Sequence, residues 1–511
     1  MNKFYSPILT CGESARFEAD LFKGDTSAEF IAMSKAGYGI ATSFLKEFTL
    51  PKNAKILVAV GNGHNGGDAL IALNKIFDTY PDSTATIVIS DENNLKPNTQ
   101  KAFCLLKDKI PTHSLNIISK ESLLSLNENF DLIIEGLVGM TFSPPARPEL
   151  SASIDKLNCL NSKLKISIDI PAGASDTPQV NIFKADVTYA TAIAKDVIFK
   201  NFNREYVGRI RFVDINFDLT STEEYLSKKY FLANAEKLFA KLTQTRPSIS
   251  DKRTFGHLFI LAGSARYSGA ALLNTRAALR SGVGLVTAFV PESFAPHFAA
   301  AEPSAMWVGC PEDEYGNIAL ESFGIIRERI SRATAILIGS GLGDSNETQA
   351  LVAEILKSYP DIPVVLDADA IRISNFNALL NRNSQVIATP HEGEILRIAS
   401  DASDISLLDA CKKYNATILL KSSATRISDG EKIIYSTDGS PALARAGSGD
   451  ILGGLCGGLL ASGIFQSPLD VASCASAWLG KTSVAIAKQR SEISVASSDF
   501  IDFLHIPLCF E

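Results

Sequence analysis

The 511-residue sequence predicts an α/β protein of two doubly wound, three-layer domains, and three observations carry that prediction. The chain is far longer than the roughly 100–200 residues usual for one domain. Short β-branched runs bounded by Gly, Pro, Asn or Asp alternate with stretches of helical periodicity, as when parallel strands lie buried between two layers of helices. The alternation is interrupted by a polar, charged stretch, Asp218–Tyr230, and then resumes.

In chain order, the first series of expected strands is Lys55–Val60, Thr86–Ser90, Phe130–Glu135, Lys165–Ile170 and Asp186–Ile193, closed by Arg209–Ile215. Helical pattern lies between them, at Gly67–Phe77 and Thr99–Lys109. Asp218–Tyr230 reads as a linker flowing into a helix, which puts the domains at 1–217 and 218–511. The second series is His257–Leu261, Leu285–Val290, Thr334–Ile338, Pro363–Leu366, Gln385–Ala388, Thr417–Leu420 and Lys432–Tyr435.

Composition narrows the function classes. Apolar residues make up 46% and charged residues 21%, enough apolar content for large cores. Forty-nine Lys and Arg against 56 Asp and Glu give a net charge of −7, without the basic footprint of a nucleic-acid binder. The eight cysteines show no C-x-x-C spacing, so free thiols in a reducing cytoplasm are expected. No signal peptide is read at the start. The uncharged run Ile451–Leu469 holds five glycines, a proline and two serines, and reads as a tightly packed small-residue helix, not a membrane span. The six histidines form no zinc-ligand pattern.

Two loops carry the chemistry. The strand Lys55–Val60 runs into Gly61-Asn62-Gly63-His64-Asn65-Gly66-Gly67-Asp68 and then a helix. Glycines there let backbone amides approach a ligand, and the helix start favours an anion such as a pyrophosphate. A tight turn would explain glycines alone, but two Asn and an Asp add ligating oxygens. Asp169, at the carboxyl end of a strand, opens into the crevice where α/β sheets bind ligands, and there could shuttle a proton. A local turn at Asp169-Ile170-Pro171 is the competing explanation.

The loop resembles the Gly-Asn-Gly-Asn-Asn-Gly-Gly-Asp-Gly signature of the NAD(P)H-hydrate epimerases. Ala32-Met33-Ser34-Lys35-Ala36-Gly37 is similar to that family's Leu-Met-Glu-x-Ala-Gly, and Asp169-Ile170-Pro171-Ala172-Gly173 to its Asp-Ile-Pro-Ser-Gly. The resemblance implies a Rossmann-like domain in which His64, Asn65, Gly66, Gly67 and Asp68 contact substrate. It also implies that Asp169 acts on the hydrated nicotinamide, and that Asn65 with Glu135 holds potassium. Glu135, Met140, Thr141, Ala172 and His64 depart from the family pattern. A non-catalytic, dinucleotide-binding N-terminal domain is the second reading.

The other loop is Ala446-Gly447-Ser448-Gly449-Asp450, running into the small-residue helix. Gly-Ser-Gly at a helix start makes a nest of N–H groups for a transferring phosphoryl group. Asp450 could take the proton of an attacking hydroxyl, or simply cap the helix. This half resembles the ribokinase-like proteins, and among them the ADP-dependent NAD(P)H-hydrate dehydratases. The resemblance rests on Gly263-Ser264 with Tyr267-Ser268-Gly269-Ala270, on Gly339-Ser340-Gly341-Leu342-Gly343, on Leu366-Asp367-Ala368-Asp369-Ala370, and on Thr389-Pro390-His391-Glu392-Gly393-Glu394.

It implies that Ala270, Gly341, Gly343 and His391 line the pocket for the hydrated dinucleotide. Lys421, Ser422, Ser423, Ala424, Thr425 and Gly449 would hold ADP as phosphate donor with Mg2+, and Asp450 would be the base. Phosphorylation of the extra ring hydroxyl and loss of phosphate would return NADH or NADPH. Lys421-Ser422-Ser423, Ser440-Pro441-Ala442 and Ala446 depart from the pattern, and a Cβ at 422 would crowd an adenine. The expected ligands are therefore the NADH and NADPH hydrates and ADP, with neither nucleic acid nor membrane as partner, and homo-oligomerisation left open. A small-metabolite kinase with the same machinery is the alternative.

Overall fold

The computed structural model describes residues 4–89, 94–217 and 228–509. Two compact units divide it, one spanning Ser6–Lys228 and the other running from Lys229 onward together with Phe4 and Tyr5.

The first unit is built on a seven-stranded, all-parallel sheet of β2 (Lys55–Val60), β3 (Thr84–Val88), β4 (Leu115–Ile118), β5 (Leu132–Gly136), β6 (Lys165–Ile168), β7 (Val187–Thr191) and β8 (Arg209–Val213). Their spatial order is β4-β3-β2-β5-β6-β7-β8, so the winding reverses between β2 and β5. β2 shows why an unbroken apolar run is needed. Ile56, Val58 and Val60 join one core with helices α1 (Thr26–Glu47) and α2 (His64–Thr79), whereas Leu57 and Ala59 join the core on the opposite face.

Several expected bounds shift for local reasons. β6 stops at Ile168, because Asp169 takes φ +64° and Pro171 follows. α2 begins at His64, inside the glycine loop, with Gly63 as its cap. The expected end of the second strand, Ser90, lies outside the described residues. β4 was not expected, since only Leu115, Ile117 and Ile118 mark it.

The second unit carries an eleven-stranded sheet. Its parallel part is β10 (His257–Leu261), β11 (Leu285–Pro291), β12 (Met306–Cys310), β13 (Ala335–Ile338), β14 (Val364–Leu366), β15 (Val386–Ala388) and β16 (Thr417–Leu420), in the order β12-β11-β10-β13-β14-β15-β16. Here the winding reverses between β10 and β13. Beyond β16, β17 (Thr425–Ser428) and β18 (Ile433–Ser436) continue antiparallel, followed by β9 (Tyr230–Ala233) and by β1 (Tyr5–Pro7) at the edge. β10 again feeds two cores, Leu258 and Ile260 on one side and Phe259 and Leu261 on the other.

The small-residue helix α4 (Ser448–Ser462) packs on α3 (Ser268–Arg280) and is followed by α5 (Pro468–Arg490). The linker expected to lead into a helix leads instead into β9, and the helix comes only at Ala235–Leu242, capped by Asn234. Most of that stretch, residues 218–227, lies outside the described residues. No helix among the described residues is long and apolar enough to cross a membrane.

Candidate active sites

In open α/β sheets ligands bind beyond the carboxyl ends of the strands, where the winding reverses. The first unit meets that rule between β2 and β5. The turn at Gly61 lies so close to the turn after β5 that a Cβ on Gly61 would stand 1.9 Å from the carbonyl oxygen of Leu137. A Cβ on Gly66 would stand 2.1 Å from the carbonyl oxygen of Gly61. These two glycines are demanded by chain packing on chain. Gly63 faces open space, and Gly67 lies under Met33 of α1.

Asn65 crosses to β6, donating through Nδ2 to the Ile168 carbonyl at 2.9 Å. That brings the helix start beside Asp169, whose Oδ1 accepts from Lys195 Nζ at 2.9 Å and from the backbone N–H and hydroxyl of Thr191 at 3.2 and 3.4 Å. Asp68 is buried in the first turns of α2, and its Oδ1 has no hydrogen-bond partner. Burial and the charge of Asp169 push its carboxyl well above the usual carboxylate range. His64 is partly exposed, with Nε2 3.8 Å from Glu29 Oε2. Burial holds its imidazole below the ordinary value, Glu29 opposing and Lys96 assisting.

Glu135 behaves differently from the ligand it was expected to be. It is wholly buried, Oε1 accepting from the Leu137 amide at 2.7 Å and Oε2 from Ser167 Oγ at 2.9 Å and the Ala172 amide at 3.1 Å. Burial raises its carboxyl to about 7. A carboxylate whose two oxygens are engaged by the chain's own donors does not fit the part of a potassium ligand. Lys195 is the residue that sequence reasoning missed. Its one signal is a lysine directly after the short run Ala192-Ile193-Ala194, which is buried at Ile193 and Ala194.

In the second unit the loops after β10 and β13 meet. A Cβ on Gly341 would stand 2.7 Å from the Tyr267 carbonyl and 2.9 Å from Cβ of Ala270, so Ala270 and Gly341 pack against each other at Tyr267. Gly343 lines a cleft of about 990 Å³ with Ser264, Tyr267, Asn317 and Ser345. Its amide donates to Asp369 Oδ2 at 2.9 Å.

Asp367 is buried beneath, Oδ1 accepting from Thr389 Oγ1 at 2.7 Å and Lys421 Nζ at 3.2 Å, and Oδ2 from Ser340 Oγ at 2.9 Å. Lys421 thus points inward at the carboxylates rather than outward with Ser422 and Ser423, which are exposed. Burial works against its charge, but Asp367 and Glu394 hold its ammonium above the ordinary value. Ser422 Oγ bonds the Ala424 carbonyl and Thr425 opens β17.

Asp450 sits in the first turn of α4, but the cap is Gly447, at φ +92°. No hydrogen bond engages the Asp450 carboxylate among the described residues, while its backbone carbonyl accepts from Asn274 Nδ2 at 2.5 Å. Burial, with the charges of Asp367 and Asp369 outweighing Lys421, raises its carboxyl to about 7. The first amides of α4 have no acceptor within the helix. A Cβ on Gly449 would stand 3.4 Å from Lys421 Nζ, so anion nest, lysine and aspartate converge.

His391 caps its own short helix. Nδ1 accepts from the amides of Gly393 and Glu394 at 2.9 and 3.2 Å, so the ring proton belongs on Nε2, on the exposed edge of the ring. No group of three or more His, Cys, Asp or Glu gathers as a metal site among the described residues.

Comparison with known proteins follows the same division. Residues 258–505 match the NAD(P)H-hydrate dehydratase family model, and residues 29–197 match the model of the YjeF-related protein N-terminus. The bifunctional NAD(P)H-hydrate repair enzyme of Synechocystis sp. is 30% identical over 495 residues, covering 93% of this chain and 90% of its own. That of Thermosynechococcus vestitus is 29% identical over 525 residues, covering 99% and 98%. Among solved structures, the ADP/ATP-dependent NAD(P)H-hydrate dehydratase from Bacillus subtilis, co-crystallized with ATP/Mg2+, is 25% identical and covers 54% of this chain and 96% of its own, with a TM-score of 0.42. Nearly end-to-end similarity at that level, over both units, means that the chain belongs to the family of bifunctional NAD(P)H-hydrate repair enzymes.

Proposed function

We propose that the first unit interconverts the R and S hydrates of NADH and NADPH, and that the second dehydrates the S hydrate at the expense of ADP. The first activity is so assigned to Ser6–Lys228, and the second to Lys229 onward together with Phe4 and Tyr5, in place of the expected division into 1–217 and 218–511. The observation that carries the reading is Asp450: a carboxylate with no hydrogen-bond partner among the described residues and a raised proton affinity, at the glycine-flanked start of α4 and beside the Lys421 ammonium.

Asp450 takes the proton of the ring hydroxyl as the hydroxyl oxygen attacks the β-phosphorus of ADP, and AMP leaves. The amides at Gly449 and the Lys421 ammonium offset charge developing on the transferring phosphoryl oxygens. Phosphate then departs from the ring with the carbon–oxygen bonding pair, a neighbouring ring proton is lost, and NAD(P)H is restored. Hydroxide would leave far less readily than phosphate.

Mg2+ fits as a companion of the donor's phosphates, because it is usually held by one or two carboxylates plus phosphate oxygens. Asp369, with one carboxylate oxygen bonded to the Gly343 amide, has the other to offer. Bound there, the ion would neutralise phosphate charge. Gly343, Tyr267 and Ser264 would seat the hydrated dinucleotide in the cleft, and His391 would offer Nε2–H. In the first unit Asp169 would act on the hydrated ring, with His64, Asn65, Gly66, Gly67 and Asp68 framing it. Eight free cysteines support a cytoplasmic setting.

The test is recovery of NADH absorbance from mixed R and S hydrates with ADP and Mg2+. Complete recovery is expected, and Asp450→Asn should slow it by about 10²–10⁴-fold. Recovery unaffected by that substitution would overturn the assignment. Glu135 turned inward, with Met140 and Ala172 beside the same loops, favours one second reading, a non-catalytic first unit. Recovery that halts when the S hydrate is spent would establish it.

A further inference from the structure

Lys195 is a lysine with almost no exposed surface, its side chain 2% accessible, and it belongs to no motif singled out in the sequence. Its Nζ donates to Asp169 Oδ1 at 2.9 Å and to the Thr191 carbonyl at 3.2 Å. Asp169 itself is held at φ +64°, so its side chain is aimed by a left-handed backbone turn as well as by these bonds. Around the pair stand Asp68 from α2, and Cys11 and Glu18 from the helix Cys11–Phe22, with Glu29 of α1 acting on Glu18. Lys195 is the cation that Asp68, Glu18 and Cys11 all feel.

We propose that Lys195 is the positioning residue of the first unit's site, fixing Asp169 as the charged carboxylate and leaving the adjacent Asp68 as the carboxyl that holds the proton. This rests on the epimerase reading above and names the protonation state in which that site waits. Two neighbouring buried carboxyl groups do not both ionise at neutral pH, and an adjacent ammonium decides which one does. Lys195 bonds Asp169 directly, whereas the Asp68 Oδ1 is buried without any partner. An oxygen so placed is costly as part of a charge and tolerable as part of a neutral acid. The direction in which burial pushes Asp68, Glu18 and Cys11 agrees, each toward its neutral form. Epimerisation returns every proton it removes, so a site poised with one base and one acid ends each turnover as it began.

The experiment uses the full chain with aspartate labelled at the carboxyl carbon with ¹³C. At about pH 6.5, Asp169 should give a carboxylate signal and Asp68 an acid signal. Lys195→Met should convert Asp169 to the acid signal, and Lys195→Arg should restore the carboxylate. If Asp169 remains a carboxylate in folded Lys195→Met, or Asp68 is a carboxylate in the unaltered protein, the proposal is overturned.

The rate of R-to-S conversion gives the second readout. In Lys195→Met its acid limb should move up by about one pH unit, a loss of about tenfold below that limb that vanishes in alkali. Equal loss at every pH would mean that Lys195 only fills space, and would also overturn the proposal. An unaltered protein without any conversion above the spontaneous rate would instead sink the epimerase reading, while the carbon signals still decide the role of Lys195. Should Lys195→Met lose the first unit's melting transition, Lys195→Gln keeps a hydrogen bond to Asp169 without the charge and is read in the same two ways.

Discussion

Asp450 shows how a single environment sets a pH profile. Its carboxyl is raised to about 7 chiefly by burial, then by Asp367 and Asp369, with Lys421 opposing. A base works only when unprotonated, so kcat/KM for dehydration should be level in mild alkali and fall about tenfold per pH unit below about 7. Lys421→Met removes the opposing cation and should shift that limb upward; a limb that stays put would show that Lys421 does not reach Asp450 electrostatically. Asp450 was legible because Gly-Ser-Gly-Asp announces a helix start with a carboxylate in its first turn. Lys195 was not, because its partner Asp169 lies 26 residues away and only the fold reveals that the ammonium is buried against it. Glu135 was placed correctly on its strand, but the donors that engage its oxygens were not legible. The donors that occupy it come from Leu137, Ser167 and Ala172, two of them on another strand and its loop.

Helix α4 presents five glycines inside its span, and two of them press directly on α3. A Cβ on Gly454 would stand 2.3 Å from the Asn274 carbonyl, and one on Gly458 1.9 Å from Ser281 Oγ. The helix therefore lies against α3 at a spacing that no side chain permits, and that spacing puts Asn274 Nδ2 on the Asp450 carbonyl. Gly454→Ala should cost about 1–3 kcal/mol by forcing the two helices apart. It should also lower kcat for dehydration, because the base rides on the first turn. Thermal melting alongside kcat checks it, and unchanged values for both would refute the packing argument. This helix could be read from sequence, since five glycines in an uncharged run have few other uses. β12 and β17 could not be, being five- and four-residue strands, the first with a glycine inside and the second merging with a loop motif. Their existence depends on the neighbours that pair with them.

For the whole molecule, one winding pattern occurs twice: in each unit the first parallel strand is flanked by the second on one side and the fourth on the other. Each reversal point holds a glycine-rich turn and a helix start, which explains why two sites were visible in the sequence although neither strand order was. Two sites acting in succession on a diffusible hydrate predict complementation. Asp169→Asn chains should halt when the S hydrate is spent, and Asp450→Asn chains should hardly begin. Mixing the two should restore complete recovery, as followed by NADH absorbance. Failure of the mixture, with each variant folded, would mean that the hydrate never leaves the chain between steps.

Phe4 and Tyr5 pack with the second unit. The Phe4 carbonyl accepts from the Asn234 amide at 2.9 Å, and the Tyr5 hydroxyl donates to Asp470 at 2.5 Å. In chain order the first unit is therefore an insertion, spliced between an edge strand and the strand beside it. A dehydratase excised at the compositional boundary would leave behind its own outermost strand and expose the backbone of β9 as a template for aggregation. Grafting Phe4–Tyr5 ahead of Tyr230 through a short connector, in place of a plain N-terminal truncation, is the design that keeps this sheet whole.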